Sequence, residues 1–564
     1  MLIWGMDEKK RIAELEKVVR DQSFTIKALE QTVAELSRIA AANEERVKRH
    51  IEALRALYEK SSEQLLLFND AEVTSGLGAA EDAEDSGDGI NVRQYVRRKS
   101  RNTSVSLPVD TPVVDVHDDS SMERCSRCGA EMKVVGEKVY ASFSRVSYTV
   151  MVRRHVNLYS CTQCTPNDAD EGRIVETPST GNMLDGTICD PSLLANIVYN
   201  KYALGLPLYR QQGLFADVGL SRFTMSSWLM KVGRRLADNM VPVLEEEVYR
   251  RPLVNMDETP LKVLELRNEK GEKKAPGSKY NAYMAVRAAT NADGSKGPVI
   301  FTYTENRRNN TLIDIIGNYG GALQTDGLSG YANAGKNCNF THVGCWGHAR
   351  RKAVEACGKR TSGTAFELVG LYADFFHQEG LLRDRWLARD FFSDDEYLAE
   401  RRRVLEPLIE GIFEFCSKHS VSAMPKSALS VALAYPLERK EILMAFLNIP
   451  CATSGNQAAE NMIRPFVVGR KSFLFCITET GAEVSAFLYS LVESCKAMDI
   501  NVEDYLTWLF LNGNRVKDGD RNGWRKMLPG QSDISQGRIY REMLRTAKAD
   551  PDRNEPYVLR GKRV

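Results

Sequence analysis

The run RRPLVNMDETPLKVL, from Arg250 to Leu264, sets two adjacent carboxylates, Asp257 and Glu258, at the end of a short apolar stretch. Another acid, Asp326, closes the apolar stretch GALQTD just before Gly327, and Glu460 falls within SGNQAAENMIRPFVVGRKSFLF. Singly, an acid at the end of a strand reads as a turn or cap residue. If the strands ending at Asp257 and Asp326 are neighbours, their carboxylates lie side by side and raise each other's pKa unless a cation sits between them. Asn456 reads as the cap of a helix that carries Glu460 in its first turns and Arg464 one turn later on the same face. Three hard oxygen ligands suit Mg²⁺ or Mn²⁺, which keep positions open for phosphate and water.

A softer donor set lies upstream. CSRCGAEM and YSCTQC carry Cys125, Cys128, Cys161 and Cys164, and two C-x-x-C knuckles let four thiolates close tetrahedrally on one zinc. The interval KVYASFSRVSYTVMVRRHVNLY reads as strands that return the chain to that site, with Arg153, Arg154 and His155 facing either phosphates or solvent. The other eight of the twelve cysteines are scattered, a poor disulfide framework that suits a reducing compartment. Cys345 and His348 form a C-x-x-H that reads as a buried thiol and a helix N-terminal histidine rather than a zinc site.

Elements must position these groups. A chain of 564 residues with 43% apolar content exceeds one ordinary domain and buries more than one core, so a multidomain α/β protein is expected. The net charge of +1 conceals segregation. From Ser61 to Val92 there is no Lys or Arg, and RQYVRRKSR follows from Arg93 to Arg101. No apolar run approaches the ~20 residues of a membrane span, and MLIWGM meets charge at Asp7, so a cytosolic chain is expected.

Between about Asp7 and Leu57 apolar residues recur at heptad spacing, with Gln22, Asn43 and His50 interrupting, which reads as a coiled-coil seam for self-association or a helix packed on its own chain. LPLYRQQGLFADVGLSRFTMSSWLMKV reads as a helix-turn-helix: Gly219 in the turn, Leu208, Phe215, Leu220 and Trp228 as the packed face, Ser221 as N-cap. Arg222, Thr224 and Ser227 would then meet DNA. Past Asp257 the pattern gives three strands of a meander, then alternating strands and helices: a mixed sheet with helices on its faces.

VNMDETPLKVL, LQTDGLSGY, CWGHARRKA and NQAAENMIRPFVVGRKSFLF, followed by GAEVSAFLYSLVESCKAMDINVEDYL, resemble successive blocks of the insertion-sequence 66 family of bacterial DDE transposases. SSEQLLLFNDAE, the double C-x-x-C and YRQQGLFADVGLSRFTMSSW resemble that family's leader, zinc-binding and helix-turn-helix regions, in the same order. The resemblance implies a ribonuclease-H-like mixed-sheet core whose acidic triad maps onto Asp257, Asp326 and Glu460. The domains expected are a coiled-coil leader (1–68), an acidic then basic linker (69–105), a zinc-binding domain (106–175), a helix-turn-helix region (176–248), the first part of the core (249–358), a helical insertion (359–452), the last part of the core (453–514) and a basic tail (515–564). Where relatives read Asp-Asn-Asn before the glutamate and Arg after it, this chain has Gly455, Asn456, Gln457 and Asn461, so the groups that orient the triad differ.

The activity implied is strand cleavage and strand transfer at the ends of an insertion sequence, with two Mg²⁺ or Mn²⁺ ions on the acids, Zn²⁺ on the cysteines, and Arg464, Arg470 and Lys471 holding the DNA backbone. DNA ends and target, a second copy through the coiled coil and companion proteins of the same element are the implied partners. The implied location is the bacterial cytoplasm and nucleoid. A DNA-binding regulator, with weak or no catalysis, would account for the upstream modules and leave the acids unexplained. A ribonuclease-H-like nuclease would do the reverse.

Overall fold

The computed structural model describes residues 103–107, 111–117, 129–145, 149–161, 174–176, 182–184, 186–265, 282–327, 331, 338–548 and 557–561. The heptad segment, most of the linker and the knuckle residues Cys125, Cys128 and Cys164 lie outside the described residues.

A small β module comes first: β1 (Thr103–Leu107), β2 (Val113–His117), β3 (Met132–Arg145), β4 (Thr149–Cys161) and β5 (Ile174–Glu176). The interval between the knuckles forms the β3–β4 antiparallel hairpin, and β2 joins the other side of β4 in parallel. Along β4 alternate residues Val150, Val152, Arg154 and Val156 are buried, as a strand with one face on a core requires. Arg154 is therefore not a phosphate-facing group: it points inward, with Nη2 3.4 Å from Tyr540 Oη.

Helices α1 (Pro191–Val198), α2 (Leu208–Leu214) and α3 (Arg222–Tyr249) follow. Asp190 caps α1 through the Ser192 N–H at 2.9 Å, and its other oxygen accepts from Tyr540 Oη at 2.6 Å. Burial pushes the Asp190 carboxyl up while those bonds oppose it. The turn before α3 is made at Gly219, whose φ of +65° suits a residue without a Cβ, and Ser221 Oγ accepts from Thr224 N at 3.1 Å. Phe215, Leu220 and Trp228 are buried beneath it.

The main sheet is built from β6 (Leu253–Leu261), β8 (Ala282–Thr290), β9 (Lys296–Thr304), β10 (Ala322–Gln324) and β11 (Thr341–Val343), with the short β7 (Val263–Glu265) set apart from it. Its order is β11-β10-β6-β8-β9: β6, β8 and β9 form an antiparallel meander, and β10 and β11 extend it in parallel on the β6 side. Parallel neighbours need crossovers, and α4 (Asn309–Ile316) lies between β9 and β10. α5 (Trp346–Cys357) leaves the end of β11.

Helices α6 (Thr364–Leu387), α7 (Asp394–Ser420), α8 (Ala428–Glu438) and α9 (Lys440–Met444) then gather a separate apolar cluster around Trp346, Tyr372, Phe375, Ile409 and Phe446. A buried cation sits inside it. Arg401, fully buried, pairs with Glu379 at 3.3 Å and donates to the carbonyls of Phe446 (2.9 Å), Ile449 (3.1 Å) and Ala452 (2.7 Å).

The chain returns to the sheet as α10 (Gln457–Phe473), β12 (Cys476–Thr478) parallel to β7, and α11 (Glu479–Ala497). α11 covers the edge strand β9: Ser490 Oγ accepts from Phe301 N at 2.8 Å, and Ser494 Oγ accepts from Val299 N at 2.8 Å and donates to Val299 O at 2.9 Å. An edge that would template pairing with another chain is thus capped from within. α12 (Val502–Asn512), α13 (Arg521–Lys526) and α14 (Ser535–Arg545) fold back toward the first module, where β13 (Tyr557–Gly561) pairs with β1.

Arg401→Ala should destabilise the protein by about 3–5 kcal/mol, because it strands Glu379 as a buried charge and removes the donor from three carbonyls. Thermal melting and amide exchange over 446–454 check this, with faster exchange expected there first.

Candidate active site

Strand β6 does not end at Asp257. It continues to Leu261, pairing Asp257 with Val286 and Pro260 with Tyr283, because Thr259 and Leu261 carry the burial pattern past the acids. β10 lies beside it in parallel with Gln324 opposite Asn255, and Asp326, two residues on, comes close enough to act on the Asp257 carboxyl. The third acid arrives from α10.

Three buried amides fix that approach. Asn255 Nδ2 donates to Gln324 Oε1 at 2.9 Å and to Asn456 Oδ1 at 3.1 Å; Asn456 Nδ2 donates to Met256 O at 2.8 Å; Gln324 Nε2 donates to Thr453 O at 2.7 Å. Asn456 holds the N-cap position of α10 but its side chain makes no capping bond, since the sheet has claimed it. Each amide precedes an acid at short spacing: Asn255 by two residues within β6, Gln324 by two residues at the end of β10, Asn456 by one turn at the start of α10. The amide cluster thus adjoins the acids in sequence on all three elements.

The carboxylates are mutually unfavourable. Asp257 is pushed from 3.8 to about 7, by burial first, with Glu258, Asp326 and Glu460 adding to it and the Glu258 N–H, 2.8 Å from its Oδ1, opposing. Glu258 has its own partners: it accepts from Tyr331 Oη and pairs with Arg307 Nη2 at 3.1 Å, while burial raises its pKa. Arg307 carried no signal in the sequence, and Tyr331, the last residue of LQTDGLSGY, was not singled out there.

Around Glu460, His348 Nδ1 stands 3.9 Å from Oε1 and Arg351 Nη2 stands 3.7 Å from Oε2. Burial and Arg351 hold the His348 pKa below its usual value against the pull of Glu460 and Asp326. Cys345 Sγ accepts the Asn456 N–H at 3.1 Å, and burial pushes its thiol up. Ligand atoms of Cys345, His348 and Glu460 all lie within 4.8 Å of one another, a grouping that the reading of the C-x-x-H as a buried thiol and a helix N-terminal histidine did not foresee. Beside Asp326, burial brings His342 down to about 4 against the pull of Asp326, and its Nε2 lies 2.8 Å from Thr325 Oγ1.

The turn after Asp326 is held by the helical segment. Tyr435 Oη donates to Asp326 O at 2.7 Å and Arg439 Nε to Gly327 O at 3.3 Å. Gly327 has φ +77°, and a Cβ there would stand 3.0 Å from Tyr435 Oη, so both backbone and space ask for glycine.

The remaining expected residues are dispersed. Arg222 is exposed at the start of α3, Thr224 Oγ1 lies 3.0 Å from Ser221 Oγ within the cap, and Ser227 is half-buried. On α10, Arg464 and Lys471 are exposed, whereas Arg470 Nη1 donates to Thr259 Oγ1 at 3.0 Å. Clustered hard oxygen donors, one of which, Asp257, is pushed up by burial and by the acids around it, are chemically suited to a divalent cation.

A family model described as the IS66 family of transposases matches residues 186–484, a span holding β6, β10 and α10. The chain belongs to this family. It is 27% identical over 472 residues to "Uncharacterized protein y4jD" of Sinorhizobium fredii (strain NBRC 101917 / NGR234), covering 79% of this chain and 85% of that protein. "Uncharacterized protein y4qI" of the same organism is 28% identical over 370 residues, covering 63% of this chain and 65% of that protein. Family membership supports a transposase role, with DNA as partner and divalent metal as cofactor. Among the described residues no helix is long and apolar enough to cross a membrane.

Because Asp257 binds its proton more tightly when folded, the folded state holds the extra proton between 3.8 and about 7, and stability falls as pH rises through that window. Asp257→Asn should therefore raise the melting temperature of metal-free protein at pH 8 and leave it nearly unchanged at pH 4. An equal effect at both pH values would mean that the carboxylate charge is not its source.

Proposed function

We propose that this protein is a DDE transposase that binds the ends of its insertion sequence, cuts them and joins them to target DNA. The observation that carries this reading is the convergence of acids from three separate elements, Asp257 on β6, Asp326 after β10 and Glu460 on α10, with Asp326 and Glu460 close enough to add to the upward push that burial gives the Asp257 carboxyl. The strand order β11-β10-β6-β8-β9, antiparallel on one side of β6 and parallel on the other, supports a ribonuclease-H-like core.

Asp257, Asp326 and Glu460 would hold Mg²⁺ or Mn²⁺, which when bound supplies activation of the attacking water or 3′-hydroxyl and stabilises the leaving oxygen. The chain's own groups act around that. The amide cluster keeps the three acid-bearing elements in register, and Arg307 and Tyr331 keep Glu258 occupied. His348 and Arg351 limit where the Glu460 carboxylate can swing. Arg464 and Lys471, exposed on the helix that carries Glu460, suit the phosphates of flanking DNA as charge partners rather than base readers. Arg470 serves a different part in this reading: it ties α10 to Thr259 and reaches DNA only by leaving that bond.

Upstream, the turn at Gly219 and the Ser221 cap support a helix-turn-helix with Arg222, Thr224 and Ser227 toward DNA. Cys125, Cys128, Cys161 and Cys164 are proposed as zinc ligands and the heptads of 1–68 as the self-association element, both on the pattern of the sequence.

Glu460→Gln keeps the size of the side chain and removes one anionic ligand, so cleavage of a supercoiled plasmid bearing the element's ends should fall by at least ~10²-fold while gel-shift binding of those ends persists. Near-normal cutting by this variant would sink the triad. End binding without cuts by the unsubstituted chain would favour a regulator, and random degradation a nuclease.

A further inference from the structure

A second set of side chains able to ligate a metal lies on the first β module, on elements other than those that carry the acids. His117, the last residue of β2, is in register with His155 of β4, and Glu137 of β3 is in register with Asn157, which shares a face of β4 with His155. Ligand atoms of His117, Glu137 and His155 all lie within 4.8 Å of one another. His155 Nδ1 is 2.8 Å from Glu137 Oε1, and His117 Nδ1 is 3.8 Å from the same oxygen.

The far side of His155 is already organised. Its Nε2 stands 2.9 Å from Asp115 Oδ1, and Asp115 is gripped by Arg153 through Nε at 2.8 Å and Nη2 at 2.8 Å. A carboxylate on one ring nitrogen fixes the tautomer and tilt of a histidine whose other nitrogen binds metal. That other nitrogen, Nδ1, is shielded from solvent and makes no aligned hydrogen bond, although Glu137 Oε1 is 2.8 Å away. With the proton on Nε2, a lone pair then faces a carboxylate oxygen, a contact that a cation between them would turn from repulsive to attractive.

We propose that His117, Glu137 and His155 bind one zinc ion, with Asp115 as the carboxylate that orients His155. Two imidazole nitrogens and one carboxylate oxygen form a donor set that zinc accepts, and tetrahedral bonds of 2.0–2.2 Å put ligand atoms about 3.3 Å apart. The present separations of 2.8 and 3.8 Å bracket that value. This ion is separate from one on the cysteine knuckles, because Cys161 at the end of β4 lies roughly 20 Å from His155 at about 3.3 Å per strand residue. It would clamp the end of β2, from which the chain runs on toward Cys125, to the β3–β4 hairpin. The first module is thereby a two-zinc module.

The test is zinc content of the full chain after chelator stripping, reloading with Zn²⁺ and desalting. His117 is 68% exposed at a strand end, so His117→Ala leaves folding intact, and Glu137→Gln keeps side-chain size. Both should lose about one equivalent per chain relative to the unsubstituted protein, and Co²⁺ loading should lose the shorter-wavelength visible d–d component of a nitrogen- and oxygen-ligated ion while the longer-wavelength d–d bands and the near-ultraviolet thiolate-to-cobalt bands of the cysteine site remain. Unchanged zinc content in either variant overturns the proposal. So does loss of the thiolate bands alone, which would assign the ion to the cysteines, and so does loss of zinc accompanied by a changed far-ultraviolet spectrum in both variants, which would make the cluster a packing element.

Discussion

The structure turns on one buried polar contact: the amide of Asn255, held between Gln324 on the neighbouring strand and Asn456 on the returning helix. In a site closed to water these groups have little choice of partner, and leaving one unsatisfied costs on the order of 1–3 kcal/mol. Register between two short strands is otherwise loosely specified. β10 contributes only Ala322–Gln324 to the sheet, and α10 is separated from β11 by the whole helical insertion. A hydrophobic contact would tolerate a slip at either junction; a donor that must meet two acceptors does not.

Beside that cluster the protein accepts an electrostatic liability. Burial and the neighbouring acids push the Asp257 carboxyl up, while Arg307 is engaged with Glu258 and Arg351 stands 3.7 Å from an oxygen of Glu460. A neutralising arginine among them would favour the metal-free fold and compete with a divalent cation for the same oxygens. The cations placed here, Arg307 and Arg351, pair with Glu258 and Glu460, and the Asp257 carboxyl is left to its raised pKa. Stability here gives way to chemistry.

Much of this was legible in the sequence, and the misses share a cause. Asp257, Asp326 and Glu460 could be picked out because strand and helix periodicities place them, and Gly219 and Ser221 because turn and cap chemistry is local. Local signals also misled. An acid after an apolar run suggested that β6 stopped at Asp257, yet the strand continues because β8 pairs with it as far as Leu261. Asn456 looked like a cap, but partners some two hundred residues away claimed its side chain. Arg154 sat among Arg153 and His155 in a charged run, and alternation alone, had the phase been known, would have turned it inward. Arg307 and Tyr435 meet the site only through the folded chain, so no spacing could have revealed them, whereas Tyr331 closes the block LQTDGLSGY and went unread as a partner of Glu258.

The cation buried in the helical segment has a further meaning for how such a chain can change over evolutionary time. Arg401 grips the carbonyls of Phe446, Ile449 and Ala452, Ser454 N donates to its partner Glu379 at 3.3 Å, and Thr453 O receives Gln324. The strand of chain from 446 to 454 is thus a shared wall, one side belonging to the helices and the other to the sheet. Helices 364–444 consequently do not behave as a cassette that can be cut out and the ends rejoined. Shortening or exchanging them would require a new set of donors for that wall, so lineages should vary the outer surface of these helices freely while inheriting the Arg401 and Glu379 positions as a pair.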